Sequence, residues 1–416
     1  MERRPILYVT FDGLLQPLGF SQVVRVVVEL ARRGESYVVL SVERRSDLER
    51  RDAVDRVRSV LAAAGVDWEW VTTDSANLSA RRSGSAMMRM TEAVVRTVRR
   101  RRVRMLHARS YLAASIAYGV RSFLGVPYLF DARGCWIDER SAPGDWFSKA
   151  GAYGAGKLVE RKLLQRASAV VTLTALHSVD IEAALGASAP ILEVIPTCAD
   201  YDAFALLETR PSKPATSRIV PDSVRRTLGD KNVLALVGSV NRSYRTEESV
   251  RVAKLAAQAS KDVHLLVLSR QADEFRDLLE RNGFPPDRFT LSSCGQDEMP
   301  EWLQWIDWGI LLLDDTAAKR GSVPTKLGEF FASGVRTLGY GCNAEMTSWI
   351  RRAGSGYVLD ALDDASLADA ATVLARNRID LPVLRRAREA TEVHFGLRSG
   401  VDRYVRVLRR VLERES

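Results

Sequence analysis

Ser322, Pro324, Thr325, Lys326 and Glu329 form the densest group of chemistry-bearing residues in this 416-residue chain, and they follow an apolar run, Trp308–Leu313. Pro324 suits the first turn of a helix, which puts Lys326 in that turn and Glu329 one turn deeper. The free N–H groups of a helix start, helped by Lys326 and by Lys319 or Arg320, make a site for a diphosphate, and a carboxylate one turn on can accept hydrogen bonds from ribose hydroxyls. An ordinary capped helix with solvated charges is the alternative. Further cations stand at Arg242 and Arg245, where phosphate contact and solvated loop charge are both open, and Arg270 is a further donor-binding candidate. In the first half, Asp12, Gly19 and Gln22 follow one strand-like run, while His107, Arg109 and Tyr111, then Asp131, Arg133, Trp136 and Asp138, stand at the ends of two others. Two pairs imitate metal ligands. Asp200 and Asp202 spell D-x-D but lie in the segment that closes the first half, and Asp314-Asp315 is a weak signal by itself, so no essential metal is expected.

Positioning these residues requires an alternation of strands and helices. Ile6–Thr10, Tyr37–Val42, Trp68–Thr72, Arg104–His107, Tyr128–Asp131, Ala169–Leu173 and Ile191–Ile195 read as strands, with helical spacing over Ser21–Arg33, Ser46–Ala64 and Ala86–Arg102. The pattern restarts with strands at Val233–Val237, Val263–Leu268, Phe289–Leu291 and Trp308–Leu313, and helices at Thr246–Ala259, Asp273–Asn282 and Met299–Trp305. Such alternation predicts an α/β protein of two doubly wound, Rossmann-like parallel-sheet domains. The expected division is a first domain over 1–207, a proline-bearing linker over 208–224, a second domain over 225–382, and a helical segment over 383–416 that crosses back to the first. Ser141–Lys157, rich in glycine around Trp146 and Phe147, reads as a loop that is either a lid or plain surface.

With 46% hydrophobic and 27% charged residues, the chain is globular rather than collagenous or disordered. No stretch approaches the length of a membrane-spanning helix. Met1–Pro5 runs directly into a strand without a signal-like apolar region, so a cytoplasmic location is expected. The four cysteines are scattered, which argues against a zinc site or a disulfide framework. A net charge of +9 favours anionic partners. Nucleic acid is set aside, because the basic segment at 87–104 lacks interleaved stacking aromatics. That segment, with Arg99–Arg102, is a candidate for peripheral contact with the inner face of a membrane, against the alternative of a core helix with solvated arginines.

Five ordered stretches resemble the family 4 retaining glycosyltransferases of the GT-B fold. They are Asp12-Gly-Leu-Leu-Gln-Pro-Leu-Gly19-Phe-Ser-Gln22, His107-Ala-Arg109-Ser-Tyr111, Asp131-Ala-Arg133-Gly-Cys-Trp136-Ile-Asp138-Glu139, Ile195-Pro-Thr-Cys-Ala-Asp200, and Ser322-Val-Pro-Thr-Lys326-Leu-Gly-Glu329. The resemblance implies a nucleotide-sugar donor held by the second domain across a cleft from the first, and a small-molecule or lipid-linked acceptor held mainly by the first. Glu329 would hold the ribose, Lys326 and the amides near Thr325 the diphosphate, and the Cys294-Gly295 loop the base. Gly19 would approach the sugar-phosphate, unless it is only a turn glycine with positive φ. Asp12, Gln22, Arg109, Tyr111, Trp136 and Asp138 fall to the acceptor, and Asp131, Arg133, Lys326 and His107 to catalysis, although a strand-end histidine can be purely structural. The donor is a co-substrate, so no cofactor is expected.

Three departures qualify the likeness, and in one the cations usual after the second domain's first strand fall near Ser239 and Tyr244, with Arg242 and Arg245 beside them as replacements. Where many members carry a sugar-contacting Glu, this chain has Gly321, and the usual first-domain histidine is replaced by Asp131 or Arg133. The expectation is retaining, metal-independent transfer from UDP-sugar first, or GDP-sugar, in cell-envelope glycan or natural-product synthesis. The alternatives are a nucleotide-sugar epimerase or hydrolase, and a catalytically silent binding partner.

Overall fold

The computed structural model describes residues 4–74, 80–141, 145–204, 206, 217–240, 244–314, 316–341, 344–376 and 380–415. The chain forms two compact units, Met1–Pro196 with Arg320–Ser322 and Arg398–Ser416, and Thr197–Lys319 with Val323–Leu397. Residues 208–216 of the proline-bearing segment lie outside the described residues, and its end is already helical from Asp222.

In the first unit, strands β1 (Ile6–Thr10), β2 (Tyr37–Arg44), β3 (Asp67–Thr73), β4 (Met105–Arg109), β5 (Tyr128–Asp131), β6 (Ala169–Thr172) and β7 (Ile191–Val194) lie in the order β3-β2-β1-β4-β5-β6-β7. In the second, β8 (Asn232–Val237), β9 (Val263–Leu268), β10 (Phe289–Ser292), β11 (Trp308–Leu312), β12 (Arg336–Tyr340) and β13 (Gly356–Val358) lie in the order β10-β9-β8-β11-β12-β13. Every pairing within these sheets is parallel. The chemistry of the central strands explains why: β1, β4, β5, β6, β9 and β11 are buried at every position, as only a sheet covered on both faces allows. Strand order reverses between β1 and β4 and between β8 and β11, and crevices for ligands open at the carboxyl ends of such strands.

The helices that bear on the site are α1 (Arg25–Arg32), α2 (Ala80–Arg101), α3 (Ser110–Leu124), α4 (Trp136–Glu139), α5 (Ala150–Arg166), α6 (Ala175–Leu185), α7 (Thr246–Ala259), α8 (Thr325–Ser333), α9 (Leu381–Phe395) and α10 (Leu397–Glu415). Helix α5 corrects the reading of Ser141–Lys157 as loop. Residues 150–157 are helical despite Gly151, Gly154 and Gly156, because tertiary packing overrides propensity. A Cβ on Gly156 would stand 2.9 Å from the Phe147 ring and 3.1 Å from Ile137. The C-terminal segment is two helices rather than one. Between them the backbone of Ala199 intervenes, its N–H donating to Phe395 O and its carbonyl accepting from Leu397 N, both at 2.8 Å. Strands β12 and β13 escape the sequence pattern because one carries Arg336 and Gly339 and the other has three residues.

Glycine also sets the seat of α8 against β11. A Cβ on Gly309 would lie 2.1 Å from the Phe330 ring, whose residue adjoins Glu329. Gly309→Ala is therefore expected to lower stability by about 1–3 kcal/mol through overpacking, measured by urea unfolding.

Candidate functional site

In the first unit the sequence-predicted residues converge at the carboxyl ends of β1, β4 and β5. Asp131 is buried at the last position of β5, with Arg109 Nη1 3.6 Å from its Oδ2 and Arg133 Nη1 3.4 Å from its Oδ1. Arg109, itself buried, donates from Nε to Asp12 Oδ2 at 2.7 Å. Four alternating charges thus run from Asp12 to Arg133. Burial raises the Asp131 carboxyl, and Arg133, His107 and Arg109 together outweigh it, holding the group well below the usual carboxylate range. His107 Nε2 lies 3.9 Å from Asp131 Oδ2, beyond hydrogen-bond reach, while its Nδ1 faces Tyr37 Oη at 3.3 Å and its ring packs on Tyr8 and Tyr404. Next in sequence to Arg109, Ser110 adopts φ 69°, a left-handed conformation costly for a non-glycine residue and frequent at functional sites.

The loop after β1 is pinned by a residue the sequence did not single out. Glu43, buried at the end of β2, accepts from Leu14 N at 2.7 Å and from Ser41 Oγ at 2.7 Å. Burial pushes its carboxyl up, and those hydrogen bonds pull the other way. A charge closing an otherwise apolar strand was the available signal. Gly19 has φ −62°, so positive φ is not its reason. A Cβ there would fall 2.0 Å from Gly13 O, and the loop's own backbone demands the glycine. Gln22 is buried in the π-helical turn Phe20–Val24 that leads into α1.

Of the acceptor candidates, Asp12 is part-exposed, whereas Tyr111 is buried, its hydroxyl donating to Glu160 Oε1 at 2.6 Å. Trp136 stacks on Tyr111 with ring centroids 5.8 Å apart, and Trp146 and Phe147 meet it edge-on. Asp138 accepts from Tyr153 Oη at 2.6 Å and from Lys157 Nζ at 3.1 Å, which ties α4 to α5.

In the second unit, α8 starts at Thr325 with Pro324 as its N-cap, one residue earlier than a first-turn proline, and no side chain caps it. Glu329 is buried one turn in, and each of its oxygens has a partner: Lys326 Nζ at 3.2 Å from Oε2, and Gln296 Nε2 at 2.7 Å from Oε1. Gln296 had no sequence signal beyond standing beside Gly295, whose amide donates to Glu298 Oε2 at 2.7 Å. Burial pushes the Cys294 thiol up to about 11, while Lys326 and Arg270 draw it down, so these groups share one locality. Tyr244, half-buried beside Lys326, also joins it. Arg245 is committed to Asp314 at 3.0 Å and Glu248 at 3.7 Å. Arg242 and Asp315 lie outside the described residues. Ser322 belongs with the first unit, and a Cβ on Gly321 would stand 2.6 Å from Cys135 Sγ, leaving no room for the family's Glu. Asp200 spends Oδ1 on the amides of Asp202 and Ala203, a local turn.

Residues 21–198 match the family model described as glycosyl transferase 4-like domain. No curated protein matches the chain. Among solved structures, sucrose-phosphate synthase from Thermosynechococcus elongatus is similar with a TM-score of 0.70 at 11% identity, covering 99% of this chain and 100% of that one. Anabaena Alr3699/HepE in complex with UDP-glucose follows at 0.65 and 13%, covering 99% and 98%. A putative UDP-N-acetylglucosamine 2-epimerase from Listeria monocytogenes gives 0.62 and 11%, covering 99% and 97%. The chain therefore has the GT-B fold, and its residues 21–198 resemble a glycosyl transferase 4-like domain.

The buried histidines of the first unit imply a pH dependence. Burial pushes His177 down to about 4, and it lowers His107 as well. Unfolded histidine takes its proton near pH 6.5, so between about 6.5 and 4 the unfolded chain binds more protons and stability is lost as the pH is lowered. His177 alone accounts for about 3 kcal/mol at the acid end of that window. Urea unfolding across the window should show this slope, reduced in His177→Gln.

Proposed function

We propose that the protein is a retaining glycosyltransferase that moves a sugar from a nucleoside-diphosphate donor, UDP-sugar first and GDP-sugar second, to a hydroxyl acceptor. The observation that carries this reading is the uncapped start of α8, where Lys326 and Gln296 hold the buried Glu329 carboxylate. An incoming ribose diol can replace those two donors on Glu329, freeing Lys326 to turn to the diphosphate. The amides of Thr325 and Lys326 add the positive end of the helix. Transfer needs the leaving diphosphate stabilised as the glycosidic bond breaks, and fixed cations and amides do this without reorganising. The first unit supplies the acceptor side, with Asp12 accepting from an acceptor hydroxyl and Arg109 and Asp131 fixing its direction. Asp131 is too deeply buried to touch substrate itself, so it acts through its two arginines. The glycosyl transferase 4-like match and the likeness to a protein solved with UDP-glucose support this reading.

Similarity to UDP-N-acetylglucosamine 2-epimerases favours a second reading, in which the donor is bound and epimerised without an acceptor. Product analysis separates the two.

Thermal-shift measurements with UDP, GDP, ADP, dTDP and CMP test the donor site. One nucleotide at 100 times its dissociation constant should stabilise the fold by roughly 2.7 kcal/mol, an effect lost in Glu329→Ala. No response to any nucleotide would overturn the proposal. Lys326→Ala should lower turnover on the order of 100-fold, and EDTA should leave activity unchanged.

A further inference from the structure

Most arginines of the basic segment at 87–104, Arg99 and Arg102 apart, are engaged within the first unit. Arg100 and Arg101 pair with Glu69 and Asp67 on β3, Arg96 with Glu92 at 2.6 Å, and Arg89 donates to Thr72 O. The apolar face of α2, with Met90, Val94 and Val98, is buried. A different pair of helices, α3 and α5, which pack against each other, has the opposite character. Phe123 on α3 is 88% exposed, and Leu158 and Val159 on α5 are 65% and 50% exposed. Exposed Arg161, Lys162 and Arg166 follow on α5 and pair with no described carboxylate. Helix α3 contains no acidic residue, and the one carboxylate of α5, Glu160, is buried under Tyr111 and Lys157. The two helices thus expose bulky apolar groups and cations without a single exposed carboxylate.

We infer that this α3–α5 face docks the first unit on an anionic lipid surface, with Leu158, Val159 and Phe123 entering the interface and Arg161, Lys162 and Arg166 meeting the headgroups. The pattern suits such a surface on both counts, since interfacial binding sums buried apolar area and attraction to anionic lipid. It is also the contact that a surface-bound protein makes without a spanning segment: among the described residues no helix is long and apolar enough to cross a membrane. The inference does not rest on sugar transfer, because docking requires neither donor nor turnover.

Cosedimentation of the full chain with vesicles of phosphatidylcholine plus phosphatidylglycerol, and of phosphatidylcholine alone, tests it. Binding should require the anionic lipid and weaken with salt. It should fall on the order of 100-fold in Arg161→Gln/Lys162→Gln/Arg166→Gln, fall likewise in Leu158→Glu/Val159→Glu, and persist in Arg96→Gln/Arg99→Gln on α2. All these side chains are exposed, and an unchanged melting temperature confirms that each variant is folded. Absence of binding, or binding lost through α2 but kept in the α5 variants, overturns the proposal. So does a concentration-dependent dimer dissolved by Leu158→Glu/Val159→Glu, which would assign the face to a second copy of the chain.

Discussion

A carboxylate buried at the end of a central strand must be neutralised, and much of the first unit is arranged to do it. Asp131 ends β5 with almost no access to water, and an isolated charge there would cost several kcal/mol. Arg109, from the end of the neighbouring strand β4, supplies one counter-charge and Arg133 the other. Arg109 then carries a surplus of hydrogen-bonding capacity, which it spends on Asp12 in the loop after β1. That loop is held from its other side by Glu43 of β2. One buried charge therefore fixes the ends of three strands, and the only part of the chain of charges left to meet solvent freely is Asp12.

The second unit solves a related problem with fewer parts. Glu329 is buried on a helix rather than a strand, and its partners come from the same helix and from one loop. On the reading proposed above, the difference is functional. A residue that must release its partners to receive a ligand is better served by Lys326 and Gln296, which are able to swing, than by the locked guanidinium groups around Asp131.

Strands were legible wherever an apolar run was unbroken: Ile6–Thr10, Tyr128–Asp131 and Val263–Leu268 are bounded in the structure as the sequence pattern bounds them. Helix α5 was not legible, because three glycines conceal a helix that exists through its packing on Phe147 and Ile137. The residues of the site could be named from their motifs, but not ranked. Asp12 and Asp131 look alike in sequence, and only burial separates the one that can meet a ligand from the one that holds it in place. Glu43 and Gln296 act through contacts distant in the chain, which no local pattern encodes. The run of arginines near residue 100 drew attention for its density, yet two of them, Arg100 and Arg101, pair with carboxylates of β3. The sparser cations of α5, Arg161, Lys162 and Arg166, are exposed and pair with no described carboxylate.

The passage of the chain through Gly396 bears on how the protein is made. Helix α10 lies in the first unit, where Tyr404 covers the His107 ring, Arg403 donates to Val194 O, and Asp402 pairs with Arg33. Residues 1–196 leave the ribosome a whole unit ahead of this helix. At the usual rate of about 5–20 residues per second, the nascent first unit waits tens of seconds with its α10-binding surface, including the ring of His107, bare. During that interval His107, Val194 O and Arg33 lack the partners that α10 later brings.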